Sequence, residues 1–363
     1  MDRRFALALV CFAVTATPGS AQLQTTQAVR DSLKTLLTAL DGQQKFHGVV
    51  LLAEGGRIVH HTAHGLAHQG YMVPNRPDTK FNLASVGKTF TAVAIAQLVE
   101  QGKLRFTDTL IRILPNYPNP GIARTVTIAQ LLTHRSGMGL YWEKLFEGNW
   151  TAVRSIADLV PYFAKDSLEF EPGSKWLYSN TGFAVLAMVI EKVSGEDYFS
   201  YVKKHIFQPL GMTDTDFYPL DVDVPNLAVG YFRDDQGQVK NNLFTHTVRG
   251  SGAGGGFSTA PDLLKWAEGL RTNKVLGKAV SDQVFTRQTD TGGGPGPGGY
   301  GYGFFVQPRE GQTILGHTGG FPGITTLFFF NPAKQRVAIV MSNFPGPDVR
   351  QMAGLLNSYL TAP

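Results

Sequence analysis

Strand-forming segments lie near both ends of this 363-residue chain, and their placement limits the folds that it can adopt. Residues 49–53 and 58–62 are β-prone runs on either side of a Glu-Gly-Gly turn, and residues 324–330 and 337–342 flank a second turn. The pattern between these two regions is mostly helical. We therefore predict an α+β fold in which both termini contribute to one antiparallel sheet. Helices flank this sheet, and a mainly helical subdomain is inserted.

Apolar residues at helical spacing predict the elements around this sheet. The expected helices cover residues 27–40, 89–101, 128–133 and 182–194, a segment that starts at Thr259, and residues 349–360. We expect one catalytic unit, with a sheet subdomain at 22–82 plus 250–363 and a helical subdomain at 83–249. Residues 290–302 are dense in glycine and proline, which predicts a flexible surface segment.

The first residues predict a signal peptide, 1–21, rather than a part of the fold. Arg3 and Arg4 precede an apolar run at 5–16, and small residues follow up to Ala21, after which we expect cleavage. The run is shorter than the roughly 20 residues that span a bilayer. The only cysteine, Cys11, lies in this segment, so the mature protein offers no thiol for disulfides, nucleophilic catalysis or metal binding. We expect a soluble protein in a bacterial periplasm or outside the cell, without stable membrane insertion.

The composition is that of a folded globular protein, with 43% hydrophobic and 17% charged residues. The net charge of +5 and a pI of about 9.1 raise the question of a nucleic-acid partner. The 33 lysines and arginines are scattered along the chain and form no basic run of five. A mildly basic surface without nucleic-acid binding is therefore the expectation.

The most informative local motif is Ser85-Val-Gly-Lys88-Thr, directly before a predicted helix. Its end is similar to a phosphate-binding P-loop, but that motif needs a glycine where Asn82 stands, so the backbone cannot wrap a phosphate. The alternative is Ser-x-x-Lys, in which residues three apart share one helix face. A serine hydroxyl is a weak nucleophile until a base takes its proton, and Lys88 would lie beside Ser85. The positive end of the helix dipole would also face the reacting oxygen.

Two further motifs accompany Ser-x-x-Lys. Tyr178-Ser179-Asn180 precedes a predicted helix, and His317-Thr318-Gly319-Gly320 ends a predicted strand. Together the three motifs resemble those of the serine β-lactamase and penicillin-binding protein superfamily. The likeness is to the branch with class C β-lactamases and secreted bacterial DD-carboxypeptidases, and it runs from about Phe46 to the C-terminus. The resemblance implies a β-lactamase/transpeptidase-like fold and an acyl-enzyme mechanism.

The resemblance also implies roles for single residues. Ser85 would attack the substrate carbonyl, and Lys88 would hold the proton network and lower the pKa of Tyr178. Tyr178 would be the general base for acylation and then the general acid for the leaving group. Asn180 would bind the acyl side chain. The backbone N–H groups of Ser85 and Gly320 would form the oxyanion hole, in which one donor is typically worth about 3 kcal/mol.

The strand segment His317, Thr318, Gly319 and Gly320 would bind an extended substrate along its edge. His317 stands where β-lactamases usually have a lysine that helps to hold a substrate carboxylate. An unperturbed histidine is mostly neutral at pH 7, so we expect weak anchoring of penicillin or D-alanine carboxylates. Peptidase or esterase chemistry is favoured over β-lactamase activity. A penicillin-recognising receptor that is acylated with little turnover remains the alternative.

Other polar and aromatic groups admit simpler explanations. His60, His61, His64 and His68 form a cluster without a neighbouring carboxylate or cysteine. Because alternate strand residues face opposite sides, we expect these histidines to decorate a strand, and we predict no metal and no cofactor. His134 has no Gly-x-Ser-x-Gly motif to accompany it, so a structural role is expected. Four aromatic residues either line a substrate cleft or fill the core, namely Tyr141, Trp142, Phe146 and Trp150. The substrate is expected to be a small molecule or a peptide.

Overall fold

The computed structural model describes residues 25–42, 45–292, 298–309, 311–344 and 348–363, and the predicted signal peptide lies outside them. The strands are β1 His47–Glu54, β2 Arg57–His64, β3 Leu66–His68, β4 Val73–Pro74, β5 Phe81–Asn82, β6 Tyr231–Arg233, β7 Val239–Asn241, β8 Phe257–Ser258, β9 Thr289–Asp290, β10 Gly299–Tyr300, β11 Phe305–Arg309, β12 Gln312–Phe321, β13 Ile324–Asn331 and β14 Arg336–Phe344. The helices are α1 Thr26–Gly42, α2 Lys88–Glu100, α3 Leu110–Ile113, α4 Pro120–Thr125, α5 Ile128–Leu132, α6 Trp142–Glu147, α7 Asn180–Ser194, α8 Tyr198–Val202, α9 Gln208–Leu210, α10 Ala260–Arg271, α11 Lys278–Phe285 and α12 Asp348–Thr361. None of the helices in these ranges is long and apolar enough to cross a membrane.

One eight-stranded antiparallel sheet runs in the order β2-β1-β14-β13-β12-β11-β10-β9. The N-terminal hairpin joins the C-terminal strands where β1 pairs with β14, with Val49 opposite Met341. The prediction that both termini build one sheet is therefore confirmed, as are the predicted hairpins and main helices.

Alternate residues of the central strands enter two different cores. Val49 and Leu51 pack into the larger core, which includes residues of α2, α7 and α10. Val50 and Leu52 pack into the smaller core, which includes residues of α1 and α12. All four side chains are fully buried, because the sheet is covered on both faces. This layering explains why β1 is apolar at successive positions rather than at every second one.

The expectation of a surface segment for residues 290–302 is wrong at the C-terminal end of that segment, whereas Asp290 at its start is exposed. Asp290 lies in β9 and Tyr300 in β10, where Tyr300 pairs with Phe305 and is fully buried. Glycine and proline dominate the composition there, but a single large side chain such as tyrosine supplies enough buried apolar area to keep β10 in the sheet. Residues 293–297 lie outside the described part of the chain.

Candidate active site

Ser85 lies in a tight 3-10 turn, Ala84–Gly87, that leads directly into α2. Ala84 has a left-handed backbone with φ of 42°, and its N–H donates to Asn82 Oδ1 at 2.8 Å. Two neighbouring backbones approach the turn so closely that only glycine fits. A Cβ on Gly254 would lie 2.1 Å from the Ala84 carbonyl oxygen, and one on Gly319 would lie 2.2 Å from the Leu83 carbonyl oxygen. The turn is thus held between the loop at 250–255 and strand β12.

Lys88 is fully buried one helical turn after Ser85, and its Nζ has three polar neighbours. They are Ser85 Oγ at 3.1 Å, Asn180 Oδ1 at 2.7 Å and the Ala253 carbonyl oxygen at 2.6 Å. Loss of hydration lowers the pKa of Lys88 well below its usual value. A neutral amine has two N–H donors and one lone pair. The amide and carbonyl oxygens can only accept, so the lone pair is left for the Ser85 hydroxyl.

The ring of Tyr178 lies against the Lys88 amine, with the ring centre 4.8 Å from Lys88 Nζ. Burial raises the pKa of the Tyr178 phenol, and a hydrogen bond with Ser85 opposes that shift only in part. The expectation that Lys88 lowers the pKa of Tyr178 does not hold in this structure, because burial drives the lysine towards its uncharged form. Desolvation thus favours the uncharged form of both groups.

Three buried side chains behind Tyr178 form a continuous hydrogen-bond chain. Tyr300 Oη lies 3.2 Å from His134 Nε2 and 2.9 Å from His317 Nε2. The Ser179 N–H donates to His134 Nδ1 at 3.0 Å, and His317 Nδ1 lies 2.5 Å from the Thr318 carbonyl oxygen.

The backbone at the two ends of this chain sets the direction of every hydrogen bond in it. An N–H donates to His134 Nδ1, so the ring proton of His134 is on Nε2 and is donated to Tyr300. A carbonyl accepts from His317, so its ring proton is on Nδ1, and Tyr300 donates its own proton to His317 Nε2. Burial lowers the pKa of His134 well below 6.5 and that of His317 to about 3. Both rings are neutral, with opposite tautomers.

The structure separates the four residues of the His-Thr-Gly-Gly segment. His317 is 1% exposed, and both its ring nitrogens bond inside the protein, so it does not face the cleft. Gly319 packs against the turn that contains Ser85. Thr318 is half-buried and does not line the cleft. Gly320 lines the cleft, with nothing within 4 Å of a Cβ built on it.

The free edge of β12 lies beside Ser85. Strand β11 pairs with β12 only as far as Gly316, whereas β13 pairs with it up to Phe321. The turn at 322–323 closes on the pair Phe321 and Ile324, and the pair that closes a two-residue turn is hydrogen-bonded. Hydrogen-bonded pairs alternate in an antiparallel ladder, so the next residue, Gly320, directs its N–H away from β13 and towards the free edge.

An open cleft lies in front of Ser85. Its polar end holds Ser85, Tyr178 and Asn180, all of which line it. The remaining lining residues are mostly small or apolar: Asn82, Ala84, Tyr141, Trp142, Leu159, Tyr218, Leu220, His246, Thr247, Gly250, Ser251, Ala253, Gly254, Gly255, Gly320 and Phe321. Trp142 therefore lines the cleft, and Phe146 and Trp150 continue the aromatic stack from it.

The predicted histidine cluster lies on β2 and β3, away from the cleft lining. Thr62 Oγ1 lies between two of its members, 3.2 Å from His60 Nε2 and 2.9 Å from His64 Nε2. Across the described ranges, no group of three or more histidine, cysteine or acidic residues has the arrangement of a metal site.

A model of the Beta-lactamase family matches residues 33–360 of this chain. The chain belongs to the beta-lactamase family. Penicillin-binding protein 4* of Bacillus subtilis is 32% identical to it over 332 residues, which cover 87% of this chain and 72% of that protein. Esterase EstB of Burkholderia gladioli is 31% identical over 65% of this chain and 68% of that protein. The solved penicillin binding protein of Bacillus halodurans has a TM-score of 0.78 at 30% identity, and the match covers 88% of this chain and 98% of that one. The predicted fold and the predicted superfamily are both confirmed.

Membership of the beta-lactamase family makes this chain one of a group of serine hydrolases that includes penicillin-binding-protein-like and esterase relatives. Several residues around Ser85 were given no role by sequence reasoning, although the segments that contain them are part of the family resemblance. They are Ala253, whose carbonyl accepts from Lys88, Gly254, which leaves room for the Ser85 turn, and Tyr300, which bridges two histidines. The Gly-Ala-Gly-Gly at 252–255 and the Tyr-Gly-Tyr-Gly at 300–303 are the sequence patterns by which these residues could have been found. Neither pattern reveals its contacts until the chain is folded.

Proposed function

We propose that the protein hydrolyses an amide or an ester through a covalent acyl-enzyme on Ser85. The observation that carries this proposal is the position of Ser85 Oγ, which is 3.1 Å from a buried Lys88 amine and lies at the floor of an open cleft. A nucleophile within hydrogen-bond reach of a desolvated base is the arrangement that covalent hydrolases require.

In the acylation step, Ser85 Oγ attacks the substrate carbonyl carbon while its proton passes to the neutral Lys88 amine. The developing oxyanion accepts hydrogen bonds from the backbone N–H groups of Ser85 and Gly320. When the carbon–nitrogen or carbon–oxygen bond breaks, the leaving atom takes the Tyr178 phenol proton. The Lys88 ammonium then returns its proton to Tyr178.

Water is the nucleophile in deacylation. It loses a proton to Lys88 as its oxygen attacks the acyl carbon, and the Lys88 ammonium gives this proton to Ser85 Oγ as the ester bond breaks. Asn180 holds Lys88 through its Oδ1, so its amide N–H₂ is available to the substrate acyl group. The esterase and penicillin-binding relatives are consistent with either an ester or an amide as the substrate.

Ser85→Ala tests the proposal, with Ser174→Ala as the matched control. Ser174 is exposed, and its hydroxyl bonds only to the Glu171 carbonyl among the described residues. We expect the Ser85 variant to lose ester and amide hydrolysis while its thermal midpoint stays at that of the parent protein, and the Ser174 variant to retain both. Turnover by a folded Ser85→Ala protein would contradict the mechanism.

An intact-mass time course with a penicillin separates the candidate activities within this proposal. An adduct on Ser85 that persists supports a peptidase, or the alternative of a receptor with little turnover. An adduct that clears while penicillin is consumed supports a β-lactamase. The absence of an adduct, together with hydrolysis of simple esters, supports an esterase or amidase.

We also propose that the chain is exported to a bacterial periplasm or beyond and loses residues 1–21. The charged, apolar and small-residue order at the N-terminus supports this proposal. Expression of the full chain in a bacterial host, followed by the mass of the periplasmic product, tests it. A product that begins at Gln22 is expected, and intact chain retained in the cytoplasm would contradict export.

A further inference from the structure

The cleft in front of Ser85 is uncharged. Among the described side chains, none that lines it is lysine, arginine, aspartate or glutamate. The one titratable imidazole there, His246, is neutral near pH 7, because burial lowers its pKa to about 4. The polar atoms that face a substrate therefore belong to hydroxyl, amide and backbone groups.

Two basic side chains close to the cleft bond to other groups of the protein. Arg249 precedes the lining residue Gly250, but its Nε donates to the Phe217 carbonyl at 2.7 Å and its guanidinium lies 3.8 Å from the centre of the Phe199 ring. Lys88 bonds to three groups inside the protein. A substrate carboxylate in this cleft would lose hydration without gaining a cation in return, which is unfavourable.

Aromatic side chains form one wall of the cleft, starting beside Gly320. Phe321 lies 5.5 Å from Trp142 and 4.9 Å from His246, measured between ring centres. Trp142 stacks on Tyr141 at 4.9 Å and on Phe146 at 5.9 Å. Phe321 and Trp142 are only half-buried and both line the cleft, so their ring surface is open to a bound molecule.

We infer that this site takes uncharged esters or amides with an aromatic or bulky apolar group, and that it discriminates against substrates with a carboxylate beside the scissile bond. The inference rests on the proposed Ser85 chemistry. Ring-to-ring contact with the aromatic wall supplies binding energy. The absence of a partner charge at the cleft raises the free energy of a bound carboxylate.

Two thioesters, one with a carboxylate and one with that carboxylate as a methyl ester, test the discrimination. Benzoyl-D-alanyl-thioglycolate carries a carboxylate in its leaving group, and its methyl ester does not. Each kcat/KM is divided by the rate of alkaline hydrolysis of the same compound, which removes the difference in intrinsic reactivity. We expect the methyl ester to be preferred by about tenfold or more, the factor that corresponds to about 1.4 kcal/mol.

A positive charge added to the cleft lining should remove most of this preference. Leu220 lines the cleft and is half-buried, so Leu220→Lys places an ammonium there, and Leu220→Met is the uncharged control of similar length. We expect the lysine variant to shift the ratio by about tenfold towards the carboxylate substrate. The methionine variant should leave the ratio as it is in the parent protein.

The aromatic wall has its own test, in which phenylacetyl and acetyl esters of the same alcohol are compared. Phe321→Ala should lower kcat/KM for the phenylacetyl ester about tenfold relative to the acetyl ester. Phe244→Ala is the control, since that residue is 80% exposed and does not line the cleft, and Trp150 bonds to its backbone carbonyl, which the substitution keeps. It should leave the selectivity unchanged.

The outcomes distinguish the inference from the function on which it rests. Ser85-dependent hydrolysis with equal or better use of the carboxylate thioester would overturn the inference and leave the proposed function intact. A protein that hydrolyses neither thioester nor the acetyl ester, and whose Ser85 is not labelled by a fluorophosphonate, would overturn both. Preference for the neutral thioester, with a loss of most of that preference in Leu220→Lys, supports the inference.

Discussion

Tyr300→Phe isolates the hydroxyl that links two buried histidines behind Tyr178. The substitution keeps the ring that fills the core and removes only the oxygen that bonds His134 at 3.2 Å and His317 at 2.9 Å. It leaves the His134 N–H without an acceptor and His317 Nε2 without a donor. All three side chains are at most 1% exposed, so bulk water does not compensate.

The size of the loss in stability follows from the two histidine nitrogens that lose a hydrogen-bond partner. A buried polar group deprived of its partner costs about 1–3 kcal/mol, so the two histidines together should lower the free energy of unfolding by about 2–6 kcal/mol. Urea denaturation followed by tryptophan fluorescence measures this loss. Tyr302→Phe is the matched control two residues away. Its ring is half-buried, no hydrogen bond to its hydroxyl is found among the described residues, and its effect should stay within about 0.5 kcal/mol.

Nitrogen-15 NMR of labelled histidine side chains tests the same network without a substitution. We expect His134 to carry its proton on Nε2 and His317 on Nδ1. If both rings show the same tautomer, or if Tyr300→Phe is as stable as Tyr302→Phe, the assigned hydrogen-bond directions are wrong.

Three other perturbations give distinct results. Lys88→Met removes the base next to Ser85 and should lower kcat/KM about 10²–10⁴-fold in steady-state ester hydrolysis. A smaller loss would mean that another group is the general base. Gly319→Ala should destabilise the fold in urea denaturation by about 1–3 kcal/mol, because its Cβ would meet the Leu83 carbonyl at 2.2 Å. Gly320→Ala, with open space at that position, should unfold like the parent protein. Burial holds the folded-state pKa values of His134 and His317 below 6.5, so the unfolded chain takes up protons first as the pH falls. Stability should thus decline below about pH 6.5 by about 1.4 kcal/mol per pH unit for each histidine, and a flat urea midpoint down to about pH 5 would contradict this.

Much of the fold could be predicted from local patterns. The hairpins at each end and helices α1, α2, α7 and α12 depend on periodicity and turn residues, which are properties of neighbouring positions. The pairing of Ser85 with Lys88 could also be predicted, because residues three apart on a helix share a face whatever surrounds them. Likewise, Tyr178 and Asn180 could be recognised as candidate site residues from their motif, without any knowledge of their contacts.

Only the folded chain decided the chemical state of these groups. Packing removes water from Lys88 and Tyr178 and so favours their uncharged forms, and burial depends on side chains that lie far apart in the sequence. His317 was predicted to bind substrate because of its position in the motif. Its hydrogen bonds to Tyr300 and to the Thr318 carbonyl instead hold the ring inside the protein. Tyr300 itself lies in a glycine-rich segment that suggested a surface loop. The sequence by itself therefore determined which motifs are candidates for the site. The tertiary structure decided which residues meet, which groups are charged, which way they donate and what the cleft can hold, since dielectric environment and hydrogen-bond partners are set by contacts across the whole chain.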